Sequence, residues 1–131
     1  MTKLIHSMIR VADDGVSTQF YADAFDLTIA DQLDFENFRL TYLSNPNSDF
    51  ELELTLNKSQ DEPYELGTGY GHLAVSVDDL EASHAKYTTL GITVGDIVAF
   101  APDGELFARF CFVTDPDGYK IEVIEHAGRF K

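Results

Sequence analysis

Residues 4–11 read LIHSMIRV and residues 69–77 read GYGHLAVSV, two short stretches that share a pattern and stand 66 positions apart at their histidines, His6 and His72. Each alternates in the manner of a β-strand, with every second side chain on one face. In the first, Ile5, Ile9 and Val11 oppose His6, Met8 and Arg10; in the second, Leu73, Val75 and Val77 oppose His72, Ala74 and Ser76. A repeated unit fixes architecture from little sequence, and the residues after each stretch extend the repeat.

After the first stretch come Asp13 and Asp14 as helix caps, then a helical pattern with Val16, Phe20 and Leu27 on one side. After the second, Asp78 with Glu81 three residues later makes a capping-box-like start, Leu80, His84 and Tyr87 follow at helical spacing, and Gly91 ends the helix. Three strand patterns complete each half: TIADQLDF, FRLTYLS and FELELTLN, then TVGDIV, FARFCFV and YKIEVIEH. Turn-forming residues separate them, with Asn45-Pro46-Asn47 in one half and Asp103-Gly104 and Asp115-Pro116-Asp117-Gly118 in the other. The expectation is an α+β fold of two paired βαβββ modules, residues 1–57 and 71–131, joined by the polar linker 58–70 into one domain.

At 131 residues with 44% apolar content, the chain can bury a core of its own. No run is long and apolar enough for a membrane span, and the N-terminus has too short an apolar stretch for a secretory signal, so a cytoplasmic protein is expected. A formal charge of -14 repels polyphosphate and anionic lipid, which argues against nucleic acid and membrane partners. Small anionic substrates then require named basic contacts. The single Cys111, inside FARFCFV, reads as a buried thiol.

The polar members of the strand faces carry the chemistry. In FELELTLN, Leu52, Leu54 and Leu56 leave Glu51, Glu53, Thr55 and Asn57 opposite; in YKIEVIEH, Ile121 and Val123 leave Lys120 and Glu122 opposite. Each half therefore offers one His and one Glu away from its helix. His6 precedes Glu53 by 47 positions and His72 precedes Glu122 by 50, and the glutamates lie 69 apart, so equivalent places carry equivalent groups. Singly, a strand histidine is most often structural and a strand glutamate solvated. Together, two imidazoles and two carboxylates form a hard-to-borderline donor set for Ni, Zn, Co, Fe or Mn, with positions left for water or substrate. Glu51 is a rival carboxylate on the same face as Glu53, Glu125 falls on the opposite face from Glu122, and His84 and His126 read as structural or solvated.

The stretches IHSMIRV, FYADAFDL, ELTLN, YELGTGYGHLAVSVDD and DPDGYKIEVIE, in this order and spacing, resemble glyoxalase I (lactoylglutathione lyase) of the vicinal oxygen chelate superfamily in its short bacterial form. The resemblance implies His6, Glu53, His72 and Glu122 as metal ligands, the four that strand faces and repeat symmetry select. It implies a homodimer whose sites lie at the subunit interface, taking His6 and Glu53 from one subunit and His72 and Glu122 from the other. The reaction implied is isomerisation of the hemithioacetal of methylglyoxal and glutathione to S-lactoylglutathione, with Glu122 as base and Glu53 assisting reprotonation. Arg10 and Asn57 match the family's glutathione-binding residues, each four positions beyond a ligand, about 13 Å along the strand. Short members of the family without extra loops point to Ni(II), with Zn(II) or Co(II) as alternatives.

Where many relatives carry a Lys-Gly contact to the glycyl carboxylate, this chain has FAPDGELFARF, and Arg109 is the basic residue nearest to replace it. Two other functions compete. One is another metal-dependent enzyme of the superfamily, an epimerase, dioxygenase or thiol transferase; the other is a metal-free small-molecule-binding protein of the same fold. The full quartet of ligands disfavours both, since the dioxygenases use two His and one Glu and the binding proteins lack the set.

Overall fold

The computed structural model describes all 131 residues, which divide into two compact units, Met1–Glu65 and Leu66–Lys131. The first contains β1 (His6–Arg10), α1 (Asp14–Phe25), β2 (Thr28–Asp34), β3 (Phe38–Ser44) and β4 (Glu51–Asn57). Its sheet runs β1-β4-β3-β2, so the first strand lies beside the last and parallel to it, while the hairpin strands are antiparallel.

The second unit contains β5 (Leu73–Val77), α2 (Leu80–Thr89), β6 (Thr93–Val94), β7 (Val98–Phe100), β8 (Ala108–Thr114) and β9 (Lys120–Glu125). Its sheet runs β5-β9-β8-β6, with β7 also on β8 and β5 parallel to β9. The stretch TVGDIV is thus not one strand. Val94 pairs with Val113 and Val98 with Phe110, so four steps on one side meet three on the other, and the Gly95 N–H donates to the Phe112 carbonyl at 2.9 Å just before the break. That is a one-residue bulge. The first unit has its own irregularity between Ile29 and Asp31, at the repeat-equivalent place, where β2 stays continuous. β6 and β7 together are the counterpart of β2.

Ile9, Val11, Leu43, Leu52 and Leu54 form the buried side of the first sheet, and Cys111, Val113, Ile121 and Val123 that of the second. Each large apolar side chain so buried contributes about 1.5–3 kcal/mol. The face that α1 buries differs from the expected one: Ser17, Tyr21 and Ala24 are inside, whereas Val16 is 52% exposed. Asp14 explains the rotation. Its carboxylate receives two hydrogen bonds from Arg39 of β3, at 2.6 and 2.9 Å, which pulls that side of the first turn onto the sheet, and Ser17 is small enough to follow. In α2, Leu80 and Tyr87 are buried as the spacing predicts.

The caps follow the same logic. Asp13 accepts from the Val16 N–H, and Asp79, one residue beyond the expected Asp78, accepts from the Ala82 N–H. Gly91 at φ 75 closes α2, with its own N–H bonded to the Thr88 carbonyl and that of Ile92 to the Tyr87 carbonyl.

Candidate metal centre

Because β1 and β4 are parallel and in the register Met8 opposite Glu53, the side chains of His6, Met8 and Glu53 emerge on the face away from Leu52 and Leu54. His6 sits diagonally to Glu53, with Nε2 2.9 Å from Oε1. The carboxylate is nearly buried and the imidazole about one-third exposed. Tyr42 of β3 faces Glu53 across the hairpin and lies edge-on to His6 at 5.9 Å between ring centroids. Burial first, then the charges of Glu53 and Glu51, push the Tyr42 phenol above its ordinary pKa, so it stays protonated.

The second unit repeats this geometry. Ala74 of β5 faces Glu122 of β9, and His72, just ahead of β5, reaches back so that its Nε2 lies 3.2 Å from Glu122 Oε1. Phe112 of β8 faces Glu122 and lies edge-on to His72 at 5.2 Å. Neither Tyr42 nor Phe112 is singled out by the sequence. Counting back across each hairpin from the glutamate finds both, once the hairpin register is fixed.

Two ligand atoms about 2.1 Å from one divalent ion and at right angles are about 3.0 Å apart. The separations of 2.9 and 3.2 Å fit that spacing, and imidazole plus carboxylate is a donor set that takes Zn, Ni or Co. No group of three or more His, Cys, Asp and Glu side chains is assembled to hold a metal; the four residues stand as one pair in each unit. A pair supplies two donors, and a structural or catalytic ion of this kind takes at least three from protein.

Arg10 closes β1 on the His6 face, level with Thr55, and Asn57 closes β4, its amide donating to the Tyr64 hydroxyl at 3.2 Å. Glu51 is level with His6 in the ladder, yet the imidazole contact goes to Glu53. The Arg109 guanidinium donates to both Glu81 and Glu125, an arrangement that ties β8 to α2 and β9. The hydrogen bond from Arg109 holds the Glu81 carboxyl below its ordinary pKa. His84 Nε2 lies 2.9 Å from the Gly95 carbonyl, and His126 Nδ1 lies 3.5 Å from Asp78, so both have local structural partners. Cys111 is fully buried, and burial pushes its thiol pKa up.

Comparison with known proteins identifies the family of the chain. Residues 3–123 match the family model of the glyoxalase/bleomycin resistance protein/dioxygenase superfamily. The chain is 34% identical over 131 residues to a probable lactoylglutathione lyase of Synechocystis, covering 96% of this chain and 97% of that protein. It is also 34% identical over 128 residues to the lactoylglutathione lyase of Haemophilus influenzae, covering 95% and 93%. A crystal structure of a glyoxalase I variant from Zea mays superposes with a TM-score of 0.84 at 27% identity over 96% of this chain; the chain spans 45% of the maize protein. With the match running from Lys3 to Val123 and the relatives covered nearly end to end, the chain belongs to the glyoxalase/bleomycin resistance protein/dioxygenase superfamily.

Proposed function

We propose that this chain is a glyoxalase I, a metal-dependent lyase that isomerises the hemithioacetal of methylglyoxal and glutathione to S-lactoylglutathione. The observation that carries the reading is the pair of repeat-equivalent His and Glu contacts, His6 with Glu53 and His72 with Glu122, each with Nε2 and Oε1 at a shared-ligand spacing. The relatives that match over nearly their whole length bear the name of this activity.

His6, Glu53, His72 and Glu122 together would hold one divalent ion, Ni(II) by preference, with Zn(II) or Co(II) as alternatives. When bound, such an ion supplies positive charge beside the oxygen on which negative charge develops. Glu122 takes the proton from the carbon that bears sulfur, and Glu53 assists its return to the neighbouring carbon. A base of this kind contributes about 10²–10⁴-fold when placed within hydrogen-bond reach of its proton. Arg10 grips a glutathione carboxylate with two parallel hydrogen bonds and Asn57 adds a third contact, offsetting locally a chain of charge -14.

As the family resemblance implies, the complete set is assembled in a homodimer with His6 and Glu53 from one subunit and His72 and Glu122 from the other. No helix is long and apolar enough to cross a membrane. Glutathione is the thiol of the reducing cytosol, which makes the cytoplasm the place where this reaction belongs.

The test is thioester formation from methylglyoxal by protein stripped of metal and reloaded separately with Ni(II) and Zn(II), with glutathione and, in parallel, with γ-glutamylcysteine. Metal-restored turnover with glutathione supports the proposal and ranks the metals. Turnover with γ-glutamylcysteine alone would move the assignment to a thiol without a glycyl carboxylate. The loop at 101–107, which bears Asp103 and Glu105 and no basic side chain, is the reason to include it.

A further inference from the structure

The break between β6 and β7 changes which side chains face Glu122. Val94 stands opposite Val113, and an unbroken ladder would carry Val98 to Arg109, whose guanidinium points to Glu81 of α2. The surplus residue instead sets Val98 opposite Phe110 and Phe100 opposite Ala108, and Ala99 takes the place beside Arg109. A slip of one residue sends every following side chain to the other side of a sheet. Val98 and Phe100 therefore join Phe110 and Phe112 on the face that bears Glu122. This surface is continuous with the His72 and Glu122 pair: the Phe112 ring lies 5.2 Å from that of His72 and 5.8 Å from that of Phe110. Val98 and Phe100 are nearly half exposed.

The bulge is fastened from the helix side. His84 Nε2 of α2 lies 2.9 Å from the Gly95 carbonyl, and the Gly95 N–H donates to the Phe112 carbonyl at 2.9 Å. The imidazole donates there both as the Nε2–H tautomer and when protonated. Repeat-equivalent places in the two units differ in kind. Arg10 is level with Thr55 in the first, whereas Ser76 is level with Ile124 in the second. Lys120, on the Glu122 face, lies beyond Glu122 from Phe110 and donates to Thr114 at 2.6 Å. The surface from Glu122 to Phe100 is thus hydrocarbon, and an apolar group laid on it is removed from water. Resting on the glyoxalase I reading, we propose that Val98 and Phe100 receive the non-reacting substituent of the 2-oxoaldehyde and favour a large apolar or aromatic one, with His84 as the positioning residue that holds the bulge.

The Ni(II)-loaded parent, Phe100→Ala, His84→Ala and His84→Gln proteins are assayed with the glutathione hemithioacetals of methylglyoxal and phenylglyoxal. Binding of the two product thioesters, S-lactoylglutathione and S-mandeloylglutathione, is measured by calorimetry on the same proteins. The parent is expected to bind the mandeloyl thioester about tenfold more tightly, the scale for covering part of an aromatic ring. In Phe100→Ala the phenyl-to-methyl ratio falls about tenfold in both kcat/KM and affinity. His84→Ala lowers the ratio in the same direction, and His84→Gln, whose amide keeps an N–H donor, restores it. Equal affinity of the parent for the two thioesters, or a parental ratio in Phe100→Ala, overturns the subsite; if that variant also fails to dimerise, the face belongs to a second copy of the chain. A parental ratio in His84→Ala, or a loss shared by both aldehydes that His84→Gln does not rescue, overturns the positioning role. A parent that turns over neither hemithioacetal overturns the glyoxalase I reading itself, whereas the other outcomes leave methylglyoxal turnover in place.

Discussion

His6 lies on the diagonal of Glu53: the residue level with Glu53 in the β1/β4 ladder is Met8, and the imidazole reaches across two positions to bring Nε2 to 2.9 Å from Oε1. His72 has the same relation to Glu122, with Ala74 in the level position. A parallel ladder between the first and last strands of a βαβββ unit therefore sets the contact, and a slip of one residue would send the glutamate to the opposite face. The sheet sets this geometry, with His72 carried one residue ahead of β5.

The two glutamates respond differently to the same substitution. In Glu122→Gln the amide oxygen still coordinates but accepts no proton, so kcat falls about 10²–10⁴-fold while most metal binding persists. In Glu53→Gln a nearly buried ligand carboxylate becomes a neutral amide with one acceptor oxygen in place of two. Metal affinity then falls by at least about tenfold. Metal titration and steady-state kinetics on both proteins check this, and equal behaviour would refute it.

Arg10 and Arg109 separate in the same way. Arg10→Ala raises KM for the hemithioacetal about tenfold with little change in kcat, the pattern for loss of a charged contact made equally in ground and transition states. Arg109→Ala leaves KM within about twofold, a negligible free-energy change, because its guanidinium is already bound to Glu81 and Glu125. Its effect is on stability, and on the acid limb in particular. Arg109 holds the folded Glu81 carboxyl below the ordinary value of 4.5, so that contribution is present above the ordinary value and lost as pH falls through the lowered one. Melting curves of Arg109→Ala should therefore lie below the parent at neutral pH and converge with it at low pH. A KM that rises with Arg109→Ala would restore that residue to substrate binding.

Packing of α1 yields a third expectation. Leu54→Ala removes a fully buried side chain and costs about 2–5 kcal/mol, whereas Val16→Ala, on the exposed side, changes stability by less than about 0.5 kcal/mol. Urea denaturation of the metal-free proteins distinguishes the two. A large cost at Val16 would mean that the helix is turned as periodicity alone suggests.

That rotation shows where sequence stops being informative. The order of elements, the repeat and the faces bearing His6, Glu53, His72 and Glu122 are legible because strand alternation is strict and occurs twice. The buried side of α1 is not, because Asp14 and Ser17 are polar and only the bond from Arg39 of β3 makes an interior place for Asp14. The break between β6 and β7 is hidden in TVGDIV, since one surplus residue leaves no compositional mark beyond Gly95. Tyr42 and the ion pairs of Arg109 depend on hairpin register and on side-chain reach, neither of which periodicity supplies.

Cys111 offers a fourth check. Fully buried and with its thiol pKa raised by desolvation, it should react with a soluble thiol reagent at pH 8 only as fast as the protein opens. Rapid labelling of the folded chain would contradict the packing of β8.

The most direct test of the shared metal centre is the metal content of the parent, His6→Ala and His72→Ala proteins after loading with Ni(II) and removal of free metal. If the two pairs hold a single ion, the parent retains about one Ni(II) per chain, and loss of either imidazole weakens binding by at least about tenfold although the pairs belong to different units. Parental Ni(II) affinity in either variant would mean that its histidine is not a ligand, and would contradict the centre.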